Sequence, residues 1–156
     1  MLVVLIAQIL LLNHTHILGY ITPLFLGYMI FPFNKDAGRI ELLLWGFVTG
    51  LLFDIFSNTA GMGAASCTLL AMLQPSILNL YTPREAPEDF TPGFEIMGFW
   101  KYLCYSLIGM FVLHATFYAL DAFTISNWQL TLSAIGTGTL LSTLLCIVAE
   151  LMIKIK

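Results

Sequence analysis

From Leu42 to Tyr81 the chain carries one charged residue, Asp54, and from Tyr102 to Ile153 only Asp121 and Glu150. Apolar runs of that length limit the fold more than any other feature. Inside a bilayer a segment must satisfy its own backbone N–H and C=O groups, and a helix does so internally. A helix crosses the ~30 Å hydrocarbon core in ~20 residues. The 156 residues of the chain therefore hold about five or six spans in one domain. Charged residues make up 10% of the chain, against about 25% in soluble domains, and the mean hydropathy is +0.91. A net charge of −3 offers no basic patch, which excludes nucleic acid as a partner. Cys67, Cys104 and Cys146 all lie within apolar runs and read as free, buried thiols.

The apolar runs and the breakers between them predict an all-α integral membrane protein, a six-transmembrane-helix bundle. Its spans fall at about 2–18, 21–33, 41–56, 62–80, 98–120 and 128–154. Residues 2–12 rise only ~17 Å as a helix, so the first span continues through Asn13, His14, Thr15 and His16 to Leu18. No basic residue precedes this run and no small-residue cleavage pattern follows it, so it reads as a span and not a cleavable leader. Pro23 opens the second span at a first turn, where proline is tolerated. Pro75 falls inside the fourth and predicts a kink there. Residues 81–97 hold three prolines and four acids and read as an irregular loop outside the membrane.

With six spans, Lys35, Arg39, Arg84, Lys101, Lys154 and Lys156 fall on one side. The stretches 13–22, 57–62 and 121–127 contain no Lys or Arg. The positive-inside rule then makes both termini and the 81–97 loop cytoplasmic. Trp45, Trp100 and Trp128 lie near span ends, as interfacial tryptophans do.

Within the third span, Gly46, Gly50 and Asp54 follow one another at i, i+4 and share a face. The glycines admit another backbone closely, which is how helices associate in lipid; alanine at position 50 would still permit fairly close contact. An acid at that depth must be paired or face water. Its structural reading is as an acceptor for the turn at Ser57, Asn58 and Thr59 or for the start of the fourth span; its functional reading is as a charge aimed at a ligand or partner. Ser57, Asn58 and Gly61 break the helix before a small-residue helix begins at Gly63. His14, His16, Asp54, Ser57 and Asn58 all fall toward the outer side, which suggests an outward-facing cavity lined by His14, His16 and Asn58. The two histidines at i, i+2 point apart on a helix and have no third ligand by spacing, so they read as polar loop residues and not a metal site. His114 is expected to hydrogen-bond within the bundle, and Glu150 to pair with Lys154 four residues on. Neither a nucleophile elbow nor a zinc-protease motif occurs. No cofactor and no catalysis are expected.

The run Asn13, His14, Thr15, His16 through Pro23, the block Gly46, Gly50, Asp54, Ser57, Asn58, Thr59, Gly61, Ala64, Ala65, and Tyr81, Pro83, Arg84, Glu85 together resemble the MreD family of bacterial rod shape-determining proteins, in its Bacteroidetes-like form. The resemblance covers essentially the whole chain. The longer, partly basic lead common in that family has no counterpart before Leu2. It implies a multi-pass protein of the bacterial inner membrane that is not an enzyme and binds no cofactor. It further implies a fold similar to the substrate-binding subunit of energy-coupling-factor transporters. The partners it implies are the single-span protein MreC and, in the wider elongation complex, MreB, RodA and a class B penicillin-binding transpeptidase, within membrane lipid. The implied role is positioning lateral peptidoglycan synthesis to maintain cell shape. Gly46, Gly50, Asp54, Ser57 and Gly61 are the family block here, with packing and partner-shaping roles. The rival reading is a small-molecule or lipid-binding transporter subunit. Such subunits carry an Ala-x-x-x-Ala face on the first helix, where this chain has only Ala7.

The topology is open to a direct test. Single cysteines at positions 88 and 126 of a cysteine-free chain should label from inside and outside intact cells respectively. Labelling of position 88 from outside would reverse the assignment.

Overall fold

A computed structural model describes residues 25–34, 38–59, 61–82, 92–122 and 128–154. The described residues are all helix and turn. A short 3-10 helix, Phe25–Met29, is followed by α1 (Arg39–Ser57), α2 (Met62–Tyr81), α3 (Phe94–Met97), α4 (Phe99–Ala122) and α5 (Trp128–Lys154). Four of them, α1, α2, α4 and α5, are long and apolar enough to cross a membrane. Their bounds lie within two residues of the last four spans read from the sequence.

Six spanning helices are not seen. The expected first span, 2–18, lies outside the described residues, and the second, 21–33, is described only from Phe25. There the chain forms the 3-10 helix and a turn, not an α-helical span. The amides of Ile30 and Phe31 both donate to the Gly27 carbonyl. Pro32 supplies no N–H to extend a helix and disfavours helical geometry at Phe31 before it. A spanning helix would show lipid one face. Here Leu26, Tyr28, Met29, Ile30 and Phe31 are all buried, and the 3-10 helix touches α1, α2, α4 and α5.

The long helices are neighbours in chain order: α1 packs on α2, α2 on α4 and α4 on α5. Their inward faces meet in one core that includes Leu42, Phe53, Leu70, Tyr102, Tyr105, Met110 and Leu113. Phe31 and Tyr105 stand with ring centroids 5.1 Å apart. The opposite faces are apolar and exposed, as at Leu44, Ile55, Leu140 and Leu144. In water that surface would be costly, whereas lipid solvates it at no penalty. Trp45, Trp100 and Trp128 are exposed near helix ends.

Because lipid is as apolar as leucine, burial alone does not drive these helices together; close packing and internal hydrogen bonds must. Glycines admit the contacts. A Cβ at Gly109 would come within 2.5 Å of the Phe31 ring, and one at Gly138 within 2.7 Å of the His114 ring. His114 Nδ1 lies 2.9 Å from the Met110 carbonyl, which can only accept, so this nitrogen carries the proton. Nε2 then accepts from the Ser142 hydroxyl at 3.3 Å, joining α4 to α5. Glu150 takes the Tyr28 hydroxyl as its donor at 3.0 Å, tying α5 to the 3-10 helix; the expected partner Lys154 has its side chain outside the described residues. Of the cysteines, Cys67 and Cys146 are buried and Cys104 is exposed. Cys104 points away from the inward stripe of Tyr102, Tyr105, Ser106 and Gly109, so an apolar run did not ensure burial.

Candidate functional site

The stretch singled out by its glycines and its acid forms the α1–α2 hairpin. Helix α1 turns Gly46, Thr49, Gly50, Phe53 and Asp54 inward, the single face that i, i+4 spacing dictates. Helix α2 answers with Gly63, Ala64, Cys67 and Ala71. The closest approach is between glycines. A Cβ on Gly50 would overlap the Gly63 carbonyl oxygen and sit 2.5 Å from the Ala64 Cα. A Cβ on Gly63 would lie 3.1 Å from the Gly50 carbonyl oxygen. One turn earlier, a Cβ on Gly46 would come within 2.8 Å of both the Ala71 Cβ and the Cys67 carbonyl oxygen. Alanine at position 50 therefore does not fit as the sequence suggested. The obstacle is backbone, which cannot swing aside as a side chain can.

Asp54 acts on both helices. Its backbone carbonyl accepts from the amides of Asn58 and Thr59, which ends α1. Its carboxylate starts α2. Oδ1 accepts from the Thr59 hydroxyl at 2.6 Å and from the Gly63 amide at 2.8 Å, and Oδ2 accepts from the Ala64 amide at 2.8 Å. A helix leaves its first N–H groups without intrahelical partners. The residue flanking α2 is Gly61, which has no side chain to cap with. Asp54 supplies from the preceding helix what a capping Ser or Asp normally supplies locally, and a carboxylate also suits the positive end of the α2 dipole. Asp54 is 6% exposed.

The turn between the helices depends on two left-handed residues. Asn58 ends α1 at φ 55° and Gly61 precedes α2 at φ 81°. Asparagine tolerates that region and glycine adopts it freely. A Cβ on Gly61 would meet nothing within 4 Å, so among the described residues Gly61 serves the turn, in keeping with the helix break read at Ser57, Asn58 and Gly61. Ser57 is the last residue of α1, and its hydroxyl is buried without a hydrogen-bond partner. Asn58 is exposed and lines a groove of about 300 Å³ with Leu51, Asp54, Ile55, Thr59 and Gly61. His14 and His16, the other expected cavity residues, lie outside the described residues.

The chain matches no known protein family, no curated protein and no solved structure. Among the described residues no group of three or more His, Cys, Asp or Glu side chains is placed to hold a metal ion. The sequence reading anticipates the turn at Thr59 and the start of the next span as donors to Asp54, and both are found. It does not single out Gly63 and Ala64 by name, because each contributes a backbone amide that carries no side-chain signal.

The arrangement orders two substitutions at the crossing. Gly50→Ala should destabilise by about 1–3 kcal/mol, the usual cost of overpacking, and Gly46→Ala by less. Thermal unfolding in detergent measures both, and a larger loss at position 46 would contradict the crossing geometry. Asp54 is graded in the same way. Asp54→Leu removes every acceptor and leaves the Gly63 and Ala64 amides unpaired at about 1–3 kcal/mol each. Asp54→Asn keeps one oxygen but turns an NH₂ group toward a donor, so its loss should be intermediate. Equal accumulation of folded Asp54→Leu and wild type in membranes would remove the capping role.

Proposed function

We propose that this protein is a non-catalytic component of the bacterial rod complex, an MreD-like protein of the inner membrane. In that reading it binds MreC and helps position lateral peptidoglycan synthesis, alongside MreB, RodA and a class B penicillin-binding transpeptidase. The observation that carries the reading is the α1–α2 hairpin. The residues that bear the resemblance, Gly46, Gly50, Asp54 and Ala64, make the contacts that shape it. The block thus has a physical reason to exist as a unit: two glycines at the crossing and an acid that caps the second helix. The polar chemistry of the hairpin is spent internally, on Gly63, Ala64 and Thr59. That supports a shaped binding surface in preference to a reaction centre. The cation distribution supports a cytoplasmic location for both termini.

The test is made in a rod-shaped host that depends on this chain. Depletion should round the cells, and the tagged chain should bring MreC with it from detergent-solubilised membranes. Gly50→Leu, which closes the crossing, should lose both effects together with folded protein. Cells that keep their rod shape on depletion, with no MreC recovered by wild-type chain, would reject the proposal.

A further inference from the structure

A cavity of about 310 Å³ lies where the first turns of α1 meet the last turns of α2. Its lining includes Arg39 and Ser76 among the apolar side chains of Leu43, Ala71, Met72 and Pro75. Arg39 makes no ion pair or hydrogen bond among the described residues, and neither does the Ser76 hydroxyl. Elsewhere in these helices Thr49, Ser66, Thr68, Thr116 and Thr143 return their hydroxyls to a carbonyl four residues back. Pro75 lies on the same wall. It has no N–H, so the Ala71 carbonyl lacks its helical donor. Glu41, the nearest acid along α1, lines a separate groove with Leu44, Trp45 and Val48.

The cavity does not end at its polar mouth. Met72 also lines an apolar groove of about 680 Å³ along the α1–α2 seam, between Phe47 and Leu51 on one helix and Ala65 and Leu69 on the other. Alanines floor this groove and larger side chains wall it. From Ser76 to Ala65 the helix rises ~16 Å. One leaflet of hydrocarbon is half of ~30 Å, or ~15 Å deep. The polar end lies at Arg39, at the helix ends where the chain's cations gather and where the interface with water falls.

We propose that this cavity and groove bind an anionic phospholipid, its phosphate on Arg39 and Ser76 and one acyl chain along the seam past Met72 to Ala65. Charge and length select this occupant together. An exposed guanidinium at a membrane-helix end, without a partner among the described residues and on the cation-rich side, attracts an anionic headgroup. The cavity and the groove share Met72, and together they have the depth of one chain, which a soluble anion has no use for. A zwitterionic lipid fits the track but brings its own cation to Arg39. The assignment is independent of the rod-complex reading, since it requires only that α1 and α2 cross a membrane.

The experiment is native mass spectrometry of the full chain in mild detergent, with palmitoyl-oleoyl phosphatidylglycerol or phosphatidylcholine added in parallel. Wild type should retain phosphatidylglycerol about fivefold better, the weight of one basic residue at an anionic headgroup. Arg39→Gln should reduce that retention to the phosphatidylcholine level. Lys101→Gln, which removes an exposed cation outside the cavity, should leave it intact. Ala65→Phe, at an exposed position, should block the track and weaken retention with Arg39 in place. Arg39 is exposed as well, so Arg39→Gln removes no internal contact; gel filtration confirms the fold of each variant. Equal retention of the two lipids by wild type would overturn the proposal, as would an equal loss in Lys101→Gln. Displacement by inorganic phosphate alone would make this an anion site and overturn the lipid assignment.

Discussion

The hairpin depends on one carboxylate that finishes one helix and begins the next. In hydrocarbon an orphaned N–H has no water to turn to and costs several kcal/mol. The α1–α2 turn must therefore satisfy its amides from within. Asp54 does this from a position on α1, so capping α2 also sets where α2 begins relative to α1. That register places Gly63 opposite Gly50 and Ala71 opposite Gly46. A cap on the turn itself would satisfy the same amides without fixing the distance between the helices.

The other links in the bundle follow the same logic. Each pairs a buried polar group with a partner distant in the chain. His114 meets Ser142 beside Gly138, and Tyr28 meets Glu150. Gln74 donates to the Tyr105 hydroxyl at 3.1 Å, tying α2 to α4. Apolar contacts permit many rotations of one helix against another at similar energy. A hydrogen bond between named positions selects one, because breaking it strands a polar group in a low-dielectric interior. These bonds contribute orientation at least as much as stability.

The division of labour between faces bears on function. Among the described residues the inward faces pack on one another and on the 3-10 helix, with the Ser57 hydroxyl and the Gln74 side-chain oxygen left buried without partners. The surface keeps what is unspent: exposed apolar side chains, Arg39 without a partner among the described residues, and the seam between α1 and α2. The proposed partner-binding role and the proposed lipid site both draw on that outer surface.

How much of this was legible beforehand varies with the range of the interaction concerned. Length, apolarity and breakers determined four of the long helices to within two residues, since a membrane helix satisfies its own backbone and needs no neighbour to define it. The i, i+4 spacing of Gly46, Gly50 and Asp54 determined that they share a face, because helical geometry is local. The sequence pointed Asp54 at the turn or at the start of the next helix, and tertiary structure decided which individual groups that face meets. The Gly63 amide, the backbone that bars alanine from position 50, and the Tyr28 hydroxyl that donates to Glu150 are all contributed by other segments. It also decided the fate of residues 25–33. Their apolar composition reads as a span, but four helices supply an apolar surround that lipid would otherwise provide, so a short 3-10 helix can be buried there with no face turned outward. Composition cannot distinguish these two environments, because both are apolar and only the arrangement of neighbours tells them apart.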